Sequence, residues 1–140
     1  MLIMLSKKYL NDLTFKVIGA AIEVHKHLGP GLLESVYHHC LFEEMRLKGI
    51  FFISQPEVNV TYKGIDLNTE LRCDFLVENC FAVELKSIDA IAPVHQAQLI
   101  TYMKLLQVPK GVLLNFNTVN IFKFGQQTFV NELFANLPNE

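Results

Sequence analysis

Residues 71–87, LRCDFLVENCFAVELKS, read as two apolar strands about a short turn, with Asp74 set into the first strand and Glu84 and Lys86 into the second. Charges inside strands bound for a core are costly unless they are paired or used. If the hairpin turns at Asn79, alternation along each strand puts Asp74 directly opposite Glu84, and Arg72 opposite Lys86. The same register pairs Cys73 with Leu85, Phe75 with Val83 and Val77 with Phe81 on the other, wholly apolar face. Like charges face to face destabilise an ordinary sheet by roughly 0.2–1 kcal/mol. A divalent cation offsets that repulsion, and carboxylates suit hard ions such as Mg²⁺ or Mn²⁺. Lys86 would then orient a water or neutralise a phosphate. Against this stands a plain alternative, a solvated face on which Arg72 and Lys86 neutralise the two acids.

Polar helix faces shift the balance. Upstream, Phe15, Ile18, Ile22 and His25 recur at helical spacing over about residues 11–27, with Asn11 or Asp12 as the expected cap. LGPG at residues 28–31 ends that helix, with Gly29 suited to a left-handed terminus. A second helix is predicted from about Leu32 to Lys48, with Leu33, Val36, Cys40, Leu41 and Leu47 as its apolar positions and Glu34, Tyr37 and His38 on one face. Downstream, Pro93 opens a third helix to about residue 107, where Gln98 and Tyr102 share a face and His95 lies a turn earlier. Strands are expected at residues 51–53, 57–62, 111–116 and 120–124, with a turn at KGID and a final strand and helical turn in TFVNELFANL. The order predicts one domain over residues 1–140, an α/β fold with a mixed β-sheet flanked by helices.

Bulk composition sets outer bounds. The 140 residues are 51% hydrophobic and 19% charged, which excludes a disordered tail. A net charge of −2 argues against coating nucleic acid by bulk electrostatics while leaving room for a local site. Three scattered cysteines fit reduced thiols and a cytoplasmic setting. MLIML is too short for a membrane span and lacks the flanks of a signal peptide. Phe51 and Phe52 must face opposite sides of a strand, so one is expected to be exposed and available to a homodimer contact.

The motifs carry a resemblance. GLLESVY at residues 31–37 is similar to the motif of the GxxExxY protein family, with Gly31, Glu34 and Tyr37 at its named positions. CDFLV, AVELKS, HQAQLITYMKL and GVLLNF resemble the same family in order and spacing, from about residue 11 to 130. That family is grouped with the PD-(D/E)xK nuclease superfamily, so the resemblance implies a restriction-endonuclease-like core. By that likeness Asp74 matches the metal-binding aspartate, Glu84 and Lys86 the ExK pair, and Glu34 the acid of an early helix. Gln98 and Tyr102 match the QxxxY helix of the RecB-like branch. Cys73 stands where the superfamily's name has proline.

The expected activity is Mg²⁺- or Mn²⁺-dependent hydrolysis of a nucleic-acid phosphodiester, in DNA or RNA. Asp74 and Glu84 would be ligands with the Leu85 carbonyl, and Glu34 would hold a second ion or one of its waters. Lys86 would act on the attacking water, Gln98 and Tyr102 would position Lys86 or a phosphate, and Arg72 would contact the backbone of the substrate. The rival is a nuclease-fold domain that binds nucleic acid or a protein without cutting. A zinc site built from Cys40, His38, His39, Cys73 or Cys80 has no standard ligand spacing. Cys73 is equally poor as a nucleophile, because apolar surroundings disfavour the thiolate. His25 and His27 are read as helix-end cations or surface residues.

Overall fold

A computed structural model describes residues 4–67 and 71–140; the opening MLI of the apolar N-terminal run lies outside them. Its central element is β5 (Phe81–Lys86), which lies between β4 (Phe75–Val77), antiparallel to it, and β6 (Lys110–Asn115), parallel to it. β1 (Phe52–Ser54) and β7 (Gln126–Val130) complete a five-stranded mixed sheet in the order β1-β4-β5-β6-β7. The parallel β5–β6 pair is joined through α3 (Pro93–Leu106), as parallel neighbours require a crossover. α1 (Lys7–Leu28) and α2 (Glu34–Leu47) pack on the opposite face of the sheet. The result is the mixed α/β architecture expected from the sequence.

The hairpin register is the predicted one: Phe75 pairs with Val83, Leu76 with Ala82 and Val77 with Phe81. Glu78 and Asn79 both take positive φ, and the Cys80 N–H closes the turn on the Val77 carbonyl at 3.0 Å. Left-handed residues in pairs suit the twist of a tight hairpin. Phe75, Val77, Phe81, Val83 and Leu85 pack under α1 and α2, with Leu10, Leu13, Val17, Val24, Tyr37, Leu41 and Met45. The other face is not left to solvent, however. Ala82 and Leu113 pack against Leu99, Tyr102 and Met103 of α3, so Glu84 lies in a strand covered on both sides. Cys73 also joins this second cluster instead of the face of Phe75, because the chain bends at Asp74 and breaks the alternation there.

Several boundaries differ for identifiable reasons. α1 starts at Lys7, not near Asn11, because the Ser6 hydroxyl accepts the Tyr9 N–H at 3.0 Å and caps it. Its buried stripe is Leu10, Leu13, Val17, Ala20, Ala21 and Val24, whereas Phe15 of the predicted stripe is 80% exposed. Small alanines let α1 approach the sheet closely, and hydropathy alone ranks the larger residues first. On α2 the buried positions are Tyr37, His38, Leu41 and Met45, while Leu33 and Leu47 face out. The segment 57–62 is a strand only at β2 (Val60–Tyr62), and KGID contains both the turn and the first residues of β3 (Ile65–Leu67), a separate two-stranded hairpin. Of the adjacent phenylalanines, Phe51 is exposed and Phe52 packs on Phe42 and Phe75.

NIFKF is not a strand. Residues Ile121–Gly125 form a single π-helical turn that buries Ile121 and leaves Phe122 and Phe124 exposed. Asn120 starts it, accepting the Lys123 N–H on its side chain and the Phe124 N–H on its carbonyl, both at 2.9 Å. A five-residue alternation does not discriminate a strand from such a turn. The turn ends where Gly125 passes the Asn115 carbonyl so closely that a Cβ at this position would overlap it. β7 and α4 (Glu132–Ala135) then follow as predicted. Replacing Gly125 with alanine should destabilise the fold by about 1–3 kcal/mol through overpacking. Urea unfolding measures this directly, and an unchanged midpoint would rule out the close approach.

Candidate active site

The bend at Asp74 and the middle of β5 bring the two carboxyls together. Glu84 Oε1 accepts the Asp74 backbone N–H at 3.2 Å, and Asp74 Oδ2 accepts the Leu85 N–H at 2.8 Å. Asp74 Oδ1 lies 3.0 Å from Nδ1 of His38, whose Nε2 lies 3.0 Å from the Ser54 hydroxyl. The His38 ring is stacked on Phe75 at 4.2 Å, which fixes its plane. Opposite Asp74, the N–H of Gln55 bonds the Asp74 carbonyl at 2.8 Å. Gln55 itself sits at φ 52, where a non-glycine residue stores strain.

On the α3 side, Lys86 Nζ donates to Gln98 Oε1 at 3.3 Å, and Gln98 Nε2 donates to the Tyr102 hydroxyl at 3.1 Å. The i, i+4 spacing read from the sequence therefore becomes a relay of hydrogen bonds ending on Lys86. Glu34, the first residue of α2, stands close enough to feel the charges of Asp74, Lys86 and His38. A cleft of about 320 Å³ is lined by Glu34, Ser35, His38, His39, Gln55 and Asp74. A larger hollow of about 480 Å³, between α1, the end of α2 and Glu78 of the hairpin turn, gathers none of these residues. The chemistry selects the smaller cleft.

The electrostatics are those of acids crowded out of water. Burial pushes the Glu84 carboxyl up to about 9, helped by its hydrogen bond to Asp74 and by the Asp74 charge, and opposed by Lys86. For Asp74 burial acts in the same direction, but the hydrogen bonds from His38, Glu84 and the Leu85 N–H outweigh it and hold the carboxyl below its ordinary value. Glu84 is thus a neutral acid beside an ionised Asp74 at neutral pH. Glu34 is also raised, by burial first and by Asp74 next. Tyr102 is raised, chiefly by burial and then by Glu84. The Cys73 thiol is driven far up by burial, so it is no nucleophile.

Not every expected residue joins the group. Arg72, predicted opposite Lys86, instead pairs with Glu57 at 3.4 Å, since the segment before β2 bridges to it there. His95 caps α3, its Nδ1 accepting the Ala92 N–H at 2.8 Å. His25 Nε2 bonds the Thr118 carbonyl at 2.8 Å, while His27 is exposed beside Glu23. Conversely, His38, Ser54 and Gln55 converge on Asp74 from segments far apart in the chain. The one signal of this in the sequence was the place of His38 four residues after Glu34 on the same helix face.

Asp74 and Glu84 are carboxyl groups in contact, with Glu34 near enough to feel the Asp74 charge, and oxygen donors of this kind are what a hard divalent cation takes. A cation would relieve the burial and mutual repulsion that keep Glu84 protonated. Among the described residues no three His, Cys, Asp or Glu side chains converge as a ready-made metal cage. Both Asp74 oxygens are engaged, by His38 and by the Leu85 N–H.

The chain thus combines a mixed sheet flanked by helices with an aspartate at a strand bend, a Glu-Leu-Lys run in the central strand and a glutamine–tyrosine pair on the following helix. A family model described as the PD-(D/E)XK nuclease superfamily matches residues 11–127, and the chain belongs to that superfamily. No curated protein and no solved structure matches the chain. Nucleases of this superfamily generally use divalent metals.

The Glu84 shift has a pH signature. Its carboxyl titrates near 4.5 when unfolded and near 9 when folded, so the folded chain binds more protons between those values. Stability of the metal-free protein should therefore fall as pH rises through that window, by at most about 1.4 kcal/mol per unit. Glu84→Gln should flatten the dependence and raise stability at pH 8. Thermal unfolding from pH 5 to 9 tests this, and a variant less stable than wild type at pH 8 would contradict it.

Proposed function

We propose that this chain is a Mg²⁺- or Mn²⁺-dependent nuclease of the GxxExxY type, hydrolysing phosphodiester bonds in DNA or RNA at the Asp74–Glu84–Lys86 cluster. The observation that carries the reading is Glu84, an acid held neutral in the central strand by burial and by Asp74, two residues before a lysine that points at a polar helix pair. A purely structural role gives no reason to bury such an acid. Superfamily membership supports the same chemistry.

In this reading Asp74, Glu84 and the Leu85 carbonyl hold the cation, with Glu34 at a second position. When bound, the ion supplies Lewis-acid polarisation of the scissile phosphate and charge neutralisation at the two acids. Lys86 orients the attacking water and stabilises charge developing on phosphate oxygens, and Gln98 with Tyr102 holds its ammonium in place. His38 holds Asp74 in one rotamer through a contact backed by Ser54. Arg72 is left out of this mechanism, since it is paired with Glu57.

The rival, a nuclease-fold domain that binds nucleic acid or a protein without cleavage, draws on the engagement of both Asp74 oxygens and on the net charge of −2. Calorimetric titration with Mn²⁺ separates the two, with Asp74→Ala and Glu84→Ala as controls. Binding in the wild type that both variants lose is the expected result; heats indistinguishable among the three would sink the site. In parallel, Lys86→Ala should slow Mn²⁺-dependent cleavage of mixed DNA and RNA substrates by about 10²–10³-fold. Nucleic-acid binding without cleavage, unaffected by that substitution, would favour the rival.

A further inference from the structure

α2 begins at Glu34 without the usual aid of a capping side chain: Leu33 occupies the cap and offers none. The position of the Glu34 carboxyl therefore depends on the five-residue connection from Gly29 to Leu33. That connection is sharply folded, with Gly29 at φ 67 and Gly31 at φ 96, a region closed to most side chains. Two hydroxyls from elsewhere in the chain meet on it. Tyr37 donates to the Gly29 carbonyl at 2.5 Å and accepts the Leu32 N–H at 3.2 Å. Ser87 donates to the Leu32 carbonyl at 2.6 Å. Both peptide groups flanking Leu32 are thus held, one by α2 and one by the end of β5.

The two anchors share a base. Ser87 directly follows Lys86, and the Tyr37 ring is stacked at 4.5 Å on Phe116, whose N–H bonds the Lys86 carbonyl at 2.9 Å. We infer that Tyr37 and Ser87 are positioning residues that clamp Leu32 and thereby fix Glu34 relative to the end of β5. A buried tyrosine needs some partner for its hydroxyl, and one bond would satisfy it. Here the hydroxyl is used as donor and acceptor on the same turn, and the half-exposed Ser87, which has no core to fill, grips the same residue. On this account the three named positions of GLLESVY divide the work: Gly31 permits the turn, Glu34 carries the charge and Tyr37 sets where it stands.

The clamp bears on function only through Glu34, so it rests on the proposed cation site, and the test keeps the two apart. Tyr37→Phe retains the ring and its stacking, and Ser87→Ala removes one hydroxyl from a half-exposed position. Amide hydrogen exchange should accelerate at Leu32 to Glu34 in each variant while the β5 and β6 amides keep wild-type rates. Mn²⁺ titration of the same variants should show about tenfold weaker binding, the scale of losing a partner that orients a ligand. Combined with Glu34→Gln, neither substitution should weaken Mn²⁺ further. Unchanged exchange at residues 32–34, or an equal loss of affinity in the Glu34→Gln background, overturns the clamp. If the wild-type chain binds no Mn²⁺, the reading of the site fails, and the exchange rates alone still decide whether the clamp exists.

Discussion

The constraint on which the rest depends is a carboxylic acid inside a sheet covered on both faces. Glu84 occupies the middle of β5, with α1 and α2 packed on one side and α3 on the other, and only 5% of it is exposed. An ion there costs free energy unless something of opposite charge or strong hydrogen-bonding power meets it. The surroundings supply just enough to keep one charge, on Asp74, and leave Glu84 protonated. The protein therefore maintains an unfavourable element in its central strand. Strain and suppressed ionisation of this kind concentrate at functional sites, where they are offset by the stability of the surrounding core.

That core is what makes the arrangement affordable. β5 and β6 are buried almost throughout, and the two clusters on either side fix the strand so that side chains two residues apart point into one space. Asp74 enters from a bend and not from a regular pair, which lets its carboxyl turn toward the Leu85 N–H and His38 at once. Lys86 comes at the last residue of the strand, where burial eases and its ammonium reaches Gln98. The proposed chemistry thus follows the gradient along β5, from a dry acid to a wetter base.

Much of this was legible in the sequence, and the limits have a common cause. The period-2 pattern around Asn79 gave the hairpin register, and i, i+4 spacing gave the Gln98–Tyr102 pair. The sheet neighbours of β5 and the covering of its polar face were less accessible, because small residues such as Ala82 and Gly111 announce close packing only once the helix above them is known. Contacts between distant segments were not accessible at all. His38 meets Asp74 across 36 residues and Ser87 meets Leu32 across 55, separations at which a single chain carries no local periodic signal. NIFKF failed for a different reason: its alternation is too short to outweigh the Asn120 side chain that starts a helical turn. The pairing of Arg72 with Glu57 was equally hidden, because Glu57 lies in a segment whose pairing is irregular.

The central proposal is that Asp74 and Glu84 bind a divalent cation. Anomalous diffraction from crystals soaked in Mn²⁺ near pH 8 tests it most directly. The account predicts a peak in contact with the Asp74 and Glu84 carboxylates, with Asp74 released from His38 or the Leu85 N–H to make room. A well-diffracting soaked crystal with no peak at that pair, and Asp74 still bonded as described, would contradict it.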